Sequence, residues 1–370
     1  MKDINKQVII LGDSFNNTLW LIRSLGEAQI DIILILVGEN DRLFVTKSKY
    51  LNKKQIFQIS HLENSLDILN KIYNPSIKQY LICTNDKAAL FIDGLETELS
   101  KRFITPMRGK QLGSLFDKDT QCKLAIECGL TVPQSTVYHL GESFPECMTY
   151  PLLLKPLNSN VGEKSDIHIC KDKNEVMNCL STQSQCTSFI VQEFIDKEYE
   201  LNLLGIRTST GTYIAGGIEK IRHYPLIYSP CSFGVFHPIQ ELHITTAPIE
   251  KFMNEVGYYG PFSVELLHKG DKNYFMEVNF RHDGLGYAAT AAHCNLLHMY
   301  INETSTLDKA QKIYMMDLSI DYCHVKDNNI RFYNWFLDFM HTSCQLNFNR
   351  KDPLPTIEYY LHKFKSKLHL

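Results

Sequence analysis

The chain is 370 residues long, 44% hydrophobic and 21% charged, with a net charge of −3 and a pI near 6.5. This length accommodates two or three packed domains, and the composition is that of an ordinary soluble globular protein. A net charge this close to neutral gives no electrostatic footprint for nucleic acid, and no nucleic-acid partner is expected.

The first hundred residues alternate strand and helix. The opening MKDINKQVIILGDS has no basic-then-apolar leader with a small-residue cleavage site, so no secretory signal is expected. KQVIILG reads as a strand, FNNTLWLIRSLGEAQ as an amphipathic helix and DIILILVG as a second strand. Ile30 to Gly38 is the longest strongly apolar run, about half of what a membrane helix needs, so no membrane association is expected. HLENSLDILNKIYN continues as a helix and QYLICTND as a strand. This order predicts a parallel sheet with right-handed crossovers. The first turn, LGDSFNN, lacks the GxGxxG spacing of a dinucleotide site.

From about Arg102 the texture changes. FDKDTQCKLAIECGLTVPQS predicts a helix that starts near Asp117 and stops at Gly129, followed by the extended TVPQSTVY. Then come a strand YPLLLKPL, a polar loop NSNVGEKSD, a strand IHIC, a helix KDKNEVMNCLS and a strand SFIVQEFI. YELNLLGIRT and TYIAGGIEKIRHY read as antiparallel strands around STG, and PFSVELLHKGDKNYFMEVNF as a hairpin around KGDKN. The tail from about Asn302 reads as helical, with a basic end, LHKFKSKLHL. Eleven cysteines with no CxxC pair fit reduced thiols in a cytoplasmic protein better than a disulfide framework or a zinc site. The sequence shows no internal repeat and no low-complexity segment.

The chemistry gathers on the hairpin. Glu265 and Glu277 lie twelve residues apart, one on each arm, where antiparallel pairing brings both carboxylates to one face. Two like charges that close need a cation between them. With the Asn279 oxygen they form the hard-ligand set that magnesium prefers. The apolar neighbours Phe262, Val264, Leu266, Phe275, Met276 and Val278 weigh against a merely solvated acidic pair. Lys155 emerges from an apolar strand just before a loop, and Lys118 opens a helix, where a cation is disfavoured without an anion nearby. Lys220 and Arg222 alternate on one strand and so share a side, suited to an anion. Taken singly, each of these residues is an ordinary surface charge.

Together the segments resemble the ATP-grasp superfamily, over roughly Leu112 to Ala292. FDKDTQCKLAIECGLTVP is similar to the family's opening helix, and the resemblance puts Lys118 on the nucleotide. YPLLLKP resembles the second lysine strand, with Lys155 on the ATP phosphates. IVQEFIDKEYE resembles the hinge, where the backbone after Glu193, through Phe194 and Ile195, reads adenine and Glu200 takes the ribose hydroxyls. FSVELL and YFMEVNFR resemble the two-acid metal signature, with Glu265, Glu277 and Asn279 as magnesium ligands (manganese being an accepted substitute) and Arg281 near the transferring phosphate. In NSNVGEKSD only Gly162 stands where relatives carry several glycines.

The resemblance implies an α/β (α+β) ATP-grasp fold: a parallel-sheet N-terminal domain over 1–105, a lid subdomain over 106–188, a mixed-sheet metal and substrate subdomain over 189–301, and a helical extension over 302–370. It implies ATP and Mg2+ as cofactors, and an amide or peptide bond formed between a small carboxylate and an amine through an acyl phosphate. EKIRHYPLIYSPCSFG is similar to the branch that includes D-aspartate ligase, with Lys220 and Arg222 gripping a carboxylate or the acyl phosphate. HDGLGYAA shapes the acceptor pocket or is a plain loop into a helix. A bicarbonate-using carboxylase and a nucleotide-binding protein with a decayed site stand as alternatives. Relatives are commonly homodimers, though the sequence does not give the oligomeric state.

Overall fold

Strands buried on both faces must be apolar at nearly every position, and the first two strands of the N-terminal layer are of this kind. β1 (Lys6–Gly12) is buried from residue 7 onward, and after α1 (Asn16–Glu27) β2 (Asp31–Val37) is buried over its five central residues. β3 (Ile56–Ile59), α2 (Ser65–Ile72), β4 (Lys78–Cys83), α3 (Asp86–Gly94) and α4 (Glu96–Leu99) complete the layer. All pairings are parallel, in the order β3-β2-β1-β4, as the alternation predicts. β3 was not expected. It is four residues long and lies at the sheet edge with Gln58 exposed, so it has no long apolar run. The computed structural model describes residues 6–38, 43–106, 112–145, 148–157, 167–182, 187–225 and 230–367. The polar loop after Lys155, including Gly162, lies outside them.

α5 (Lys118–Glu127) starts where Asp117 caps it by accepting the Thr120 N–H at 2.9 Å, and Gly129, at φ +91°, ends the turn that follows. The second unit is a four-stranded antiparallel sheet of β5 (Ser135–His139), β6 (Leu152–Pro156), β7 (His168–Cys170) and, after α6 (Lys173–Thr182), β8 (Ser188–Glu193), in the order β5-β8-β6-β7. Its own small core contains Tyr138, Phe144, Leu152, Leu154, Phe189 and Val191.

The third unit is a seven-stranded sheet. It runs through β9 (Tyr199–Arg207), β10 (Thr212–His223), β11 (Cys231–Pro238), α7 (Ala247–Val256), β12 (Gly260–Lys269), β13 (Lys272–Asn279), α8 (Tyr287–Ala291) and α9 (Leu296–Asn302). β14 (Ile313–Met316), α10 (Leu318–Asp321), α11 (Cys323–Lys326), α12 (Phe332–His341), β15 (Thr342–Gln345) and α13 (Leu354–Lys367) follow. The order is β13-β12-β9-β10-β11-β14-β15. Both predicted hairpins form, the second turning at Gly270, where φ is +62°. β11 is a strand the sequence did not announce, and the tail read as helical adds β14 and β15 to the sheet. Four apolar residues, IYMM, are too short a run to announce a strand.

The tail is fastened to α1. Arg23 is fully buried and donates to Asp352 (3.2 Å) and to the carbonyls of Leu346 and Asp352 (3.1 Å each), while Trp20 Nε1 donates to Leu346 O at 2.7 Å. One apolar core runs from β1 and α1 through Leu204, Ile218 and Phe236 of the large sheet to α8 and α9. The N-terminal layer is thereby held against the sheet that carries the acidic hairpin. No helix among the described residues is long and apolar enough to cross a membrane.

Candidate active site

Register across the large sheet assembles the site. Glu265 on β12 pairs directly with Glu277 on β13, and on its other side with Asn202 on β9. Two residues along β9, Glu200 faces Lys220 on β10, and Asn279 on β13 faces Ser263 on β12. Since residues two apart share a face, Glu277, Asn279, Glu265, Ser263, Asn202, Glu200 and Lys220 project from one side of the sheet. A bulge between Glu265 and Leu266, opposite Met276, sets the angle of the acidic pair.

Charges on this face are compensated in a chain. Lys118 Nζ is 3.5 Å from Glu277, and Lys220 Nζ is 3.3 Å from Glu265 and 3.4 Å from Glu200, which also accepts from Lys197. Burial pushes the Glu265 carboxyl above its usual pKa; Lys220 opposes this, and the like charge of Glu277 adds to it. Burial acts the same way on Glu277, but Lys118, Lys155 and Arg281 outweigh it and hold that carboxyl low. Burial likewise works against the Lys220 ammonium, yet Glu265 and Glu200 keep its pKa above the usual lysine value. Lys118 thus has, in Glu277, the anion that a cation at a helix N-terminus needs.

Lys155 leaves β6 almost fully buried and donates to Gln192 Oε1 at 3.1 Å. Burial, then the neighbouring Lys118, lowers its pKa to about 8. At the end of β8, the Glu193 N–H bonds the Gln134 carbonyl (2.8 Å) and the Phe194 N–H the Pro151 carbonyl (3.3 Å). The Ile195 N–H has no backbone partner among the described residues.

The N-terminal layer contributes Asp86. Arg281 Nε is 2.6 Å from Asp86 Oδ1, and Arg281 Nη2 donates to Asn279 Oδ1 at 3.1 Å. Next in sequence, His282 is 4% exposed and burial drops its pKa to about 4, so the ring is neutral. Asp283 accepts from Ser263 Oγ (2.7 Å), Asn202 Nδ2 (3.1 Å) and the Leu285 N–H (2.7 Å), locking the segment after β13 under the sheet face.

Of the residues singled out from sequence, Lys118, Glu265, Glu277, Asn279, Arg281, Glu200 and Lys220 are linked by these contacts and pairings, Lys155 bonds Gln192 and lies among the charges around Lys118 and Glu277, and Glu193 ends β8 with Phe194 and Ile195 following it. Arg222 goes elsewhere. It makes a bidentate pair with Asp321 (3.0 and 2.8 Å), bonds Asp338 at 2.7 Å, and stacks over the Phe233 ring at 4.1 Å. A bulge between Lys220 and Arg222 breaks the strict alternation that puts them on one side. Sequence reasoning missed Gln121, Asn202, Ser263, Asp86 and Asp283. Gln121, Asn202, Ser263 and Asp283 fall inside the segments FDKDTQCKLAIECGLTVP, YELNLLGIRT, FSVELL and HDGLGYAA, where each is a single polar residue without a period of its own; Asp86 opens α3, outside every segment singled out for the site.

Among the described residues no group of three or more His, Cys, Asp or Glu is placed to hold a metal ion. An ion here would be held by two carboxylates and the Asn279 oxygen, with coordination positions left for phosphate oxygens. The donor set fits: Glu265 and Glu277 are opposed and all-oxygen, and the Glu277 charge works against ionisation of the buried Glu265 carboxyl, an effect a hard divalent cation relieves.

Residues 124–295 match the model of the ATP-grasp domain. The chain is 31% identical over 142 residues to the formate-dependent phosphoribosylglycinamide formyltransferase of Francisella tularensis subsp. tularensis (strain WY96-3418). That match covers 36% of this chain and 35% of the relative, so the chain spans about a third of the curated relative's length. Among solved structures, the ADP complex of an N5-carboxyaminoimidazole ribonucleotide synthetase superposes with a TM-score of 0.65 at 15% identity, covering 89% of this chain and 87% of the other. The L-amino acid ligase from Bacillus licheniformis superposes with a TM-score of 0.59 at 13% identity, covering 82% and 75%.

Proposed function

Because the chain has the ATP-grasp fold and residues 124–295 form an ATP-grasp domain, we propose that the protein is an ATP-dependent carboxylate–amine ligase. A substrate carboxylate oxygen attacks the γ-phosphorus, the bond to ADP breaks, and an acyl phosphate forms. An amine then attacks the acyl carbon, phosphate leaves, and the amine proton passes to solvent or base. Such phosphoryl transfer asks a protein for position and charge neutralisation rather than covalent help.

The observation that carries the reading is the opposition of Glu265 and Glu277 across β12 and β13, with Lys118 at 3.5 Å and Lys155 among the neighbouring charges. Glu265, Glu277 and Asn279 hold Mg2+, or Mn2+ in its place, which when bound neutralises the phosphate oxygens. Lys118 and Lys155 grip the phosphates, the Ile195 N–H reads the adenine edge, and Glu200 faces the ribose. In this reading Arg281 serves the transferred group and Lys220 the acyl phosphate, while Arg222 fixes β10 to the C-terminal helices.

An amino acid is the favoured amine. A second reading keeps the site but takes a one-carbon acid, bicarbonate or formate, as the carboxylate; the 31% identity to a formate-dependent enzyme supports it. ADP release from Mg-ATP, measured across pooled amino acids, simple carboxylates, formate and bicarbonate beside a Glu277→Ala control, separates the two. Release that requires one pool and vanishes in the control supports the ligase; silence in every pool counts against it.

The working unit is a homodimer through α12. Phe332, Tyr333, Phe336, Leu337 and Met340 form one outward stripe, each 39–69% exposed, while Trp335 on the opposite face is buried. A helix apolar on both faces is normally covered. At about 200 Å² per large side chain, two copies of the stripe bury on the order of 1,000 Å², the size a specific interface needs. The stripe carries no Lys or Arg, unlike a membrane-surface helix.

A further inference from the structure

β13 is the outer strand of the seven-stranded sheet, so alternate backbone groups on its free side have no strand to pair with. Val278, between Glu277 and Asn279, is one such position. Its N–H donates to Gln121 Oε1 at 2.7 Å, and its carbonyl accepts from Gln121 Nε2 at 3.2 Å. A single side-chain amide thus pairs with Val278 as a neighbouring strand would. Nε2 also donates to the Leu115 carbonyl at 2.6 Å, and Gln121 is 5% exposed. Gln121 lies three residues after Lys118, one turn along the same face of α5.

We infer that Gln121 is a positioning residue that sets the register between the lysine helix and the acidic strand, so that nucleotide and metal are gripped by one rigid unit. The inference rests on the nucleotide and metal roles proposed above for Lys118, Glu277 and Asn279. The amide touches none of the reacting groups. Its work is geometric: a slip of α5 along β13 separates Lys118 from Glu277 and turns Asn279 away from Glu265. An apolar side chain of the same volume fills the space but leaves the Val278 N–H and C=O buried without partners, and the helix is then free to settle in another register. The neighbouring Thr131 carbonyl, which accepts the Phe275 N–H at 2.7 Å, holds the strand but not the helix turn that bears Lys118.

The test is calorimetric ADP binding with and without Mg2+, on the full chain, for wild type, Gln121→Met and Gln121→Glu, with melting temperatures recorded alongside. Metal-free ADP binding should stay within about threefold of wild type in both variants, while the gain from Mg2+ falls on the order of 10- to 100-fold, the usual cost of disturbing a residue behind metal ligands. Gln121→Glu can both accept from and donate to Val278 only when protonated. Its Mg2+ gain should therefore recover, relative to wild type, as pH falls from 8 to 6, whereas Gln121→Met should not recover. Variants that melt lower yet keep the wild-type Mg2+ gain at every pH overturn the inference, since Gln121 is then ordinary packing. A wild type with no Mg2+-dependent gain overturns the nucleotide reading itself, and this inference with it.

Discussion

Lys155 is 5% exposed, and burial, aided by Lys118, brings its pKa from the ordinary lysine value of 10.5 to about 8. Below pH 8 the folded protein holds a buried ammonium that the unfolded chain solvates freely. At 1.36 kcal/mol per pKa unit this costs about 3 kcal/mol. Between pH 8 and 10.5 the folded state binds fewer protons than the unfolded state, so stability rises with pH there and the cost disappears. Lys155→Met removes the titration. It also loses the 3.1 Å bond to Gln192, but that loss is the same at every pH. The melting temperature of nucleotide-free wild type should therefore climb relative to Lys155→Met between pH 7 and pH 10, by the equivalent of roughly 2–3 kcal/mol. At about 2.1 cal/mol/K per residue this is about 3 °C for this chain. In the same preparations, if Lys155 grips the phosphates as proposed, wild-type ADP affinity should weaken above pH 8, up to about tenfold per pH unit, as its ammonium is lost. Scanning calorimetry from pH 7 to 10 reads the first effect and titration calorimetry the second. A difference between the two proteins that stays flat with pH, or moves the other way, refutes the account of Lys155 as a buried, strained cation.

Two further outcomes follow from the same contacts. Arg222→Ala leaves Asp321, which is fully buried, without its bidentate partner; the loss should be about 3–5 kcal/mol, or roughly 4–6 °C in melting temperature, with the KM for the carboxylate within about twofold of wild type. A large rise in KM at unchanged melting temperature would instead restore Arg222 to the substrate. Sedimentation velocity should find a dimer at micromolar concentration, converted to monomer by Phe336→Glu, a change at a side chain 42% exposed and so without effect on folding; a monomeric wild type contradicts the α12 interface.

Much of this architecture was legible because its signals are local. The parallel layer follows from alternating periods, the hairpin from KGDKN, and the start of α5 from an Asp cap ahead of a helix closed by Gly129. The acidic pair was legible for the same reason: a short turn leaves antiparallel arms little choice of register. What escaped depends on long-range pairing. β14 and β15 are four residues each, and β14 finds its place on the edge of β11 and β15 on that of β14. Arg222 was read by alternation alone, which a bulge and two aspartates roughly 100 residues downstream overrule. Gln121 was invisible, because a buried amide on a helix carries no sequence period and its partner is a backbone group 157 residues away.

The central claim is that a carboxylate becomes an acyl phosphate on the face shared by Glu265, Glu277 and Lys118. It is tested most directly by following a carboxylate oxygen. With the carboxylate identified from the ADP-release pools and labelled with oxygen-18, turnover with Mg-ATP and amine should place one labelled oxygen in each phosphate released, and none in the Glu277→Ala control. Phosphate that carries no label while ADP accumulates contradicts the acyl-phosphate route.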